Sequence, residues 1–194
     1  MLDKTNRKGF CMTLKKIITH CAPTLAGLKT ANLFNQTYND EDELLEEIDK
    51  FNNEFSDYGL RMVPLTLENN ISMIYVYRVN DLENDFNNDL SKQLLSQYGY
   101  ECSDVKDAIV RLSDRIRSSK EFPHEIGLFL GYPPEDVKGF IDNNAQNYKF
   151  VGYWKVYGDI EKAKQSFNKY RKCQQIYLNC IQNGFSLKQL VIQK

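Results

Sequence analysis

RMVPLTLENNISMIYVYRV, residues 61–79, decides the fold class. Arg61 to Leu67 and Ile71 to Val79 are β-type runs, and Glu68-Asn69-Asn70 between them is a polar connection of hairpin length. Pro64 has no N–H to give to a ladder, so the first run belongs at a sheet edge. ISMIYVYRV has the β-branched and aromatic content of an inner strand.

Outward from this hairpin the pattern turns helical on both sides. Asp40 to Phe55 places Leu44, Ile48, Phe51 and Phe55 on one stripe behind the acidic turn Asp40-Glu41-Asp42-Glu43, and Gly59 ends the segment. Thr13 to Cys21 carries Leu14, Ile17 and Ile18 at helical spacing; Pro23 is expected to stop it, which puts His20 and Cys21 at a helix C-terminus. Thr24 to Phe34 reads as a turn around Gly27 leading into a strand. On the other side, Leu82 to Tyr98 reads as one helix. Ser103 or Asp104 caps another, whose buried face is Val105, Ala108, Ile109, Leu112 and Ile116.

FPHEIGLFLGYPPEDVKGFI, residues 122–141, holds one of two histidines in an apolar run read as a strand. Gly131-Tyr132-Pro133-Pro134 stops that run, and Glu135-Asp136 opens a short helical turn. Lys149 to Tyr157 alternates like a second strong strand. Ile160 to Gln182 is the longest helix, with Cys173 and Cys180 facing inward and Gly184 as its stop. Strands interrupted by paired helices, without regular βαβ alternation, predict an α+β fold: a single domain over residues 1–194, a largely antiparallel sheet with several packed helices, and a loosely ordered N-terminal segment over residues 1–12.

Composition narrows the function classes. The chain has 194 residues, 42% of them hydrophobic, enough to build a core. Its 25 Lys and Arg balance 26 Asp and Glu to a net charge of −1 without forming a basic block, so no nucleic acid and no membrane surface is expected as a partner. No apolar run approaches membrane-spanning length, and the basic N-terminus is interrupted by Lys15, Lys16 and His20. Five cysteines at irregular spacing read as reduced thiols, hence a cytoplasmic location.

The strong catalytic signatures are absent: no glycine-rich phosphate loop, HExxH, CxxC or nucleophile elbow. What remains is His20-Cys21 and His124-Glu125, where imidazole neighbours a thiol or a carboxylate. In an enzyme or sensor, His124 would be base or ligand, Glu125 acid or ligand and Cys21 the thiol, while His20, Cys21 and His124 would form a metal set if they converge. Lys29, Arg78 and Lys155 would hold an anion if their strands are neighbours. Each has a structural alternative: a hydrogen-bonded histidine, core cysteines, separate snorkelling cations. Tyr132, Tyr153, Trp154 and Tyr157 likewise read as packing or as a stacking platform.

His20-Cys21-Ala22-Pro23-Thr24-Leu25-Ala26-Gly27-Leu28-Lys29, Val76-Tyr77-Arg78, Phe122 to Pro133 and Gly152-Tyr153-Trp154-Lys155-Val156-Tyr157 resemble successive blocks of an uncharacterised family of anaerobic Gram-positive bacteria, catalogued as domain of unknown function number 3793. The similarity runs from about Leu14 to Val191 and brings no activity and no cofactor with it. It implies that the polar members of these blocks are the site candidates: His20, Cys21, Thr24, Lys29, Arg78, His124, Glu125 and Lys155. Two readings follow: a His/Cys/Glu site that binds a metal or a small anionic ligand, with or without catalysis, or a non-catalytic protein-interaction module with structural histidines. The oligomeric state is not legible.

Overall fold

The computed structural model describes residues 12–100, 104–119 and 121–194. Cys11, Cys102, Ser103 and the expected loose segment before Met12 lie outside the described residues; Met12 itself is buried, and its N–H donates to Glu47.

The hairpin forms as its sequence requires. Asn69 and Asn70 both take positive φ, 52° and 61°, the geometry of a two-residue turn that matches strand twist. They join β2 (Leu60–Glu68) to β3 (Ile71–Arg78). β1 (Ala31–Thr37) pairs antiparallel with the other side of β3, so the order is β1-β3-β2. Pro64 lies on the edge strand, as expected, where the register shifts between Pro64 and Thr66.

Both faces of β3 are covered. Ile74 and Val76 join Phe34 and Met62 on one face, against α1 (Leu14–Leu25), α2 (Glu41–Phe55) and the C-terminal half of α8 (Ile160–Gln182). Tyr75 and Tyr77 join Ala31 and Leu65 on the other, against α3 (Val79–Phe86), α4 (Asp89–Gln97), α5 (Val105–Ser118) and α6 (Ile126–Phe129). Burying about 25 cal/mol per Å² of apolar surface on each face makes this three-layer sandwich the main source of stability. The fold is α+β, as the hairpin and flanking helices predict.

Four local expectations are corrected. Pro23 does not end α1, which runs on to Leu25. A proline there cannot bond the Thr19 carbonyl, and the Gln174 side chain of α8 donates to that oxygen instead, at 2.5 Å. His20 and Cys21 thus sit in the body of the helix. The 82–98 helix is broken: the Asn88 side chain accepts from the N–H groups of Leu90 and Ser91 and starts α4 anew.

The run before Gly131 is helical, not a strand. Four consecutive buried residues, Ile126 to Phe129, carry no period that separates helix from strand. The Tyr75 hydroxyl donates to Phe129 O at 2.6 Å and pins this turn to the sheet. Gly131 then takes φ 70°, and Pro134 opens α7 (Pro134–Asp142). Residues 149–157 are likewise no single strand. β4 (Phe150–Val151) and β5 (Lys155–Val156) fold back on each other through Gly152-Tyr153-Trp154. Trp154 and Val156 pack with Ala163, Phe167 and Tyr170 of α8 as a third apolar cluster. α9 (Leu187–Leu190), which the sequence reading did not anticipate, leads into the tail that closes the α1–α8 layer.

Candidate functional site

Several residues of the family-like blocks spend their polar groups inside the fold. Arg78, at the end of β3 and 2% exposed, donates only to carbonyls: Thr24 O at 2.7 Å, Leu25 O at 2.8 Å, Ile192 O at 2.7 Å and Tyr58 O at 3.2 Å. The guanidinium thus sits on the carbonyl end of α1, where the helix dipole favours a cation, and holds the C-terminal tail there. Thr24 is buried and donates its hydroxyl to Asn32 Oδ1 at 2.7 Å. Glu125 is buried on α5's inner side, accepting from Arg115 Nε at 2.6 Å and the Tyr100 hydroxyl at 2.9 Å. That pair locks α5 to the turn before α6.

Cys21 is fully buried in the core between α1 and its neighbours, and burial pushes its thiol up to about 12, with Lys29 pulling the other way. It is packed as a small apolar residue, not as a thiolate. His20 is exposed and stacks on Phe34, ring centroids 5.1 Å apart; partial burial, with Lys16 nearby, lowers its pKa. Lys29 is buried, bonded through Nζ to Ala31 O and set 5.2 Å from the Tyr132 ring. Burial lowers its pKa to about 7, opposed by Cys21 and Asp85. No group of three or more His, Cys, Asp or Glu able to hold a metal ion occurs among the described residues, so His20, Cys21 and His124 are not assembled into a metal set.

His124 and Lys155 are brought together. Both line a cleft of about 360 Å³ between the α6–α7 junction and the β4–β5 hairpin. Its walls are mainly apolar and aromatic, with Phe122, Tyr132, Phe140, Val151 and Trp154 prominent. His124 is exposed and packs edge-on to Phe140 at 5.0 Å. Lys155 Nζ donates to Ala145 O at 2.8 Å and lies over the rings of Tyr148 at 4.8 Å and Phe140 at 5.6 Å. The ammonium is thereby held at the rim with further N–H bonds to offer.

Asp136 fixes this wall. It is 3% exposed; its Oδ2 accepts from Trp154 Nε1 at 2.7 Å, and its Oδ1 accepts from the N–H groups of Tyr157 and Gly158, each at 2.7 Å. The carboxylate is therefore spent on docking the hairpin to α7. The sequence reading gave Asp136 only the role of a helix-opening charge; a buried acid and the chain's single tryptophan are the signal that pairs them. Trp154 in turn stacks on Tyr132, ring centroids 4.8 Å apart.

A family model described as protein of unknown function (DUF3793) matches residues 17–191, nearly the whole chain. The chain belongs to the DUF3793 family. No curated protein and no solved structure matches this DUF3793 chain. No helix among its described residues is long and apolar enough to cross a membrane. The functional reading of this DUF3793 protein thus rests on its own geometry.

Proposed function

We propose that this protein binds a small anionic ligand with an apolar or aromatic body in the cleft between α6–α7 and the β4–β5 hairpin. The observation that carries the reading is the convergence of His124 and Lys155 on one aromatic-walled cleft of about 360 Å³, a size ordinary for small-molecule sites. The rings take the body of the ligand. Lys155 Nζ, held over Tyr148 and Phe140, takes its charged end, and His124 supplies a second donor.

Binding is favoured over catalysis by what lines the cleft. Among the described residues it holds no Ser, Thr or Cys to serve as nucleophile, and their one carboxylate there, Asp136, already accepts three hydrogen bonds. The test is titration of phenylacetate, followed by NMR and by Trp154 fluorescence. Saturable binding is expected, weakened about tenfold in Lys155→Met, the loss of one charge-assisted hydrogen bond. Benzyl alcohol should bind more weakly than phenylacetate. Equal binding of both probes, or unchanged affinity in both Lys155→Met and His124→Ala, would remove the reading.

A further inference from the structure

A second cleft, of about 350 Å³, lies on the other side of the Tyr132–Trp154 stack, between the α6–α7 turn, the end of α3 and the first turns of α8. Its lining differs in kind. Asp85, Glu135 and Asp159 contribute carboxylates, Lys162 is the one cationic lining residue among the described residues, and Tyr132, Trp154 and Tyr170 contribute rings. Asp136 also borders it, with its oxygens occupied as described.

The carboxylates have different local duties. Asp85 accepts from the Thr30 hydroxyl at 2.5 Å, which anchors it beside the sheet. Asp159 Oδ1 caps α8 by accepting from Glu161 and Lys162 N–H groups, at 2.9 and 3.0 Å. Glu135 is exposed at the mouth. Tyr170 is the independent observation: it is 8% exposed, lines the cleft, and its hydroxyl has no hydrogen-bond partner among the described residues. That hydroxyl is also within electrostatic reach of Asp85, another lining residue. A hydroxyl on so buried a side chain, without a protein partner and on a residue that lines a cleft, is suited to a ligand.

We propose that this second cleft is a site for an organic cation, a protonated amine carried on an aromatic or apolar body. A metal ion is the wrong occupant, because no three of the acidic groups converge on a point. An ammonium group needs less convergence. It takes one or two carboxylates as acceptors, the Tyr170 hydroxyl as a third, and the faces of Trp154 and Tyr132 beside its body. The site is separate from the His124–Lys155 cleft and of opposite charge preference; the two share only the wall formed by Tyr132, Trp154 and Asp136.

The experiment is fluorescence titration of the intact chain, whose one tryptophan is Trp154, with phenethylamine and phenethyl alcohol. Phenethylamine should give a saturable change, and the neutral analogue should bind at least about tenfold more weakly. Glu135→Gln, at an exposed position, leaves the fold intact and should weaken the amine about threefold to fivefold; Tyr170→Phe should weaken it as well. Lys155→Met, in the other cleft, should not weaken it. Equal binding of amine and alcohol overturns the proposal, as does amine binding that is lost in Lys155→Met and kept in Glu135→Gln. Failure here leaves the phenylacetate result untouched, so the two sites are tested separately.

Discussion

Replacing Arg78 by Met tests whether this residue is a clamp or a ligand contact. The guanidinium makes four bonds to carbonyl oxygens, three of them at 2.7–2.8 Å. Hydrogen bonds from a charged donor contribute about 1.5–3 kcal/mol each, so the three short ones total roughly 5–9 kcal/mol before offsets. Two offsets apply. Thr24 O keeps a bond from Gly27 N–H and is not orphaned. Met also removes the desolvation cost of a buried cation, the same burial that lowers the pKa of Arg78. The net expectation is a loss of about 3–5 kcal/mol, a large share of a typical domain's stability. Urea denaturation gives that number, and hydrogen exchange reads the tail, where Ile192 N–H should lose protection first because its bond to Leu25 O depends on the same clamp. Arg78→Lys, which keeps the charge without the planar fork, should recover only part of the loss. A loss under about 1 kcal/mol in Arg78→Met with tail protection unchanged would refute the reasoning.

Two further outcomes follow from buried charges. Lys29 has a folded pKa of about 7 against an ordinary 10.5, so between those values the unfolded chain binds more protons and stability rises with pH. Cys21, raised from 9.0 to about 12, acts oppositely above pH 9, which leaves pH 7–9 as the clean window. Across it the wild type should gain about 2 kcal/mol, and Lys29→Met should flatten the slope; denaturation at three pH values decides, and an unchanged slope in the variant counts against the assignment. Asp136→Asn keeps the acceptor for the two backbone N–H groups but turns an amide donor toward the Trp154 indole N–H. It should cost about 2 kcal/mol and weaken phenylacetate binding, whereas Trp154→Phe should cost less stability while removing the wall. A double-mutant cycle without coupling between positions 136 and 154 would contradict that account.

What was legible in the sequence were the elements set by local rules. The helices read over Asp40 to Phe55 and Ile160 to Gln182 follow from periodicity; the structure adds that Asp40 and Asp159 are their caps. The hairpin and the edge position of Pro64 follow from turn length and a missing donor. The misread places depend on distant partners. Nothing near Pro23 announces that Gln174 will satisfy the carbonyl it strands. Nothing in a short apolar run says that it is buried all round and helical. The 149–157 alternation is real, yet Asp136 takes the N–H groups of Tyr157 and Gly158 and bends the segment into a hairpin.

The site shows the same division at the level of single side chains. His124 and Glu125 are adjacent, and a strand would have sent them to opposite faces. In the observed turn, where Ile126 N–H bonds Pro123 O and Gly127 N–H bonds His124 O, neighbours diverge by roughly 100°, so they separate all the same. Glu125 goes inward to Arg115 and Tyr100; His124 stays outside against Phe140. Residue type thus indicated which groups have chemistry to offer, while tertiary partners decided which still have it free. Arg78, Thr24, Glu125 and Asp136 use theirs inside the fold; Lys155 keeps donors and Tyr170 keeps a hydroxyl for something else. Because the indole of Trp154 both docks the hairpin through Asp136 and walls the two clefts, the one hydrogen bond to Asp136 sets the shape of both.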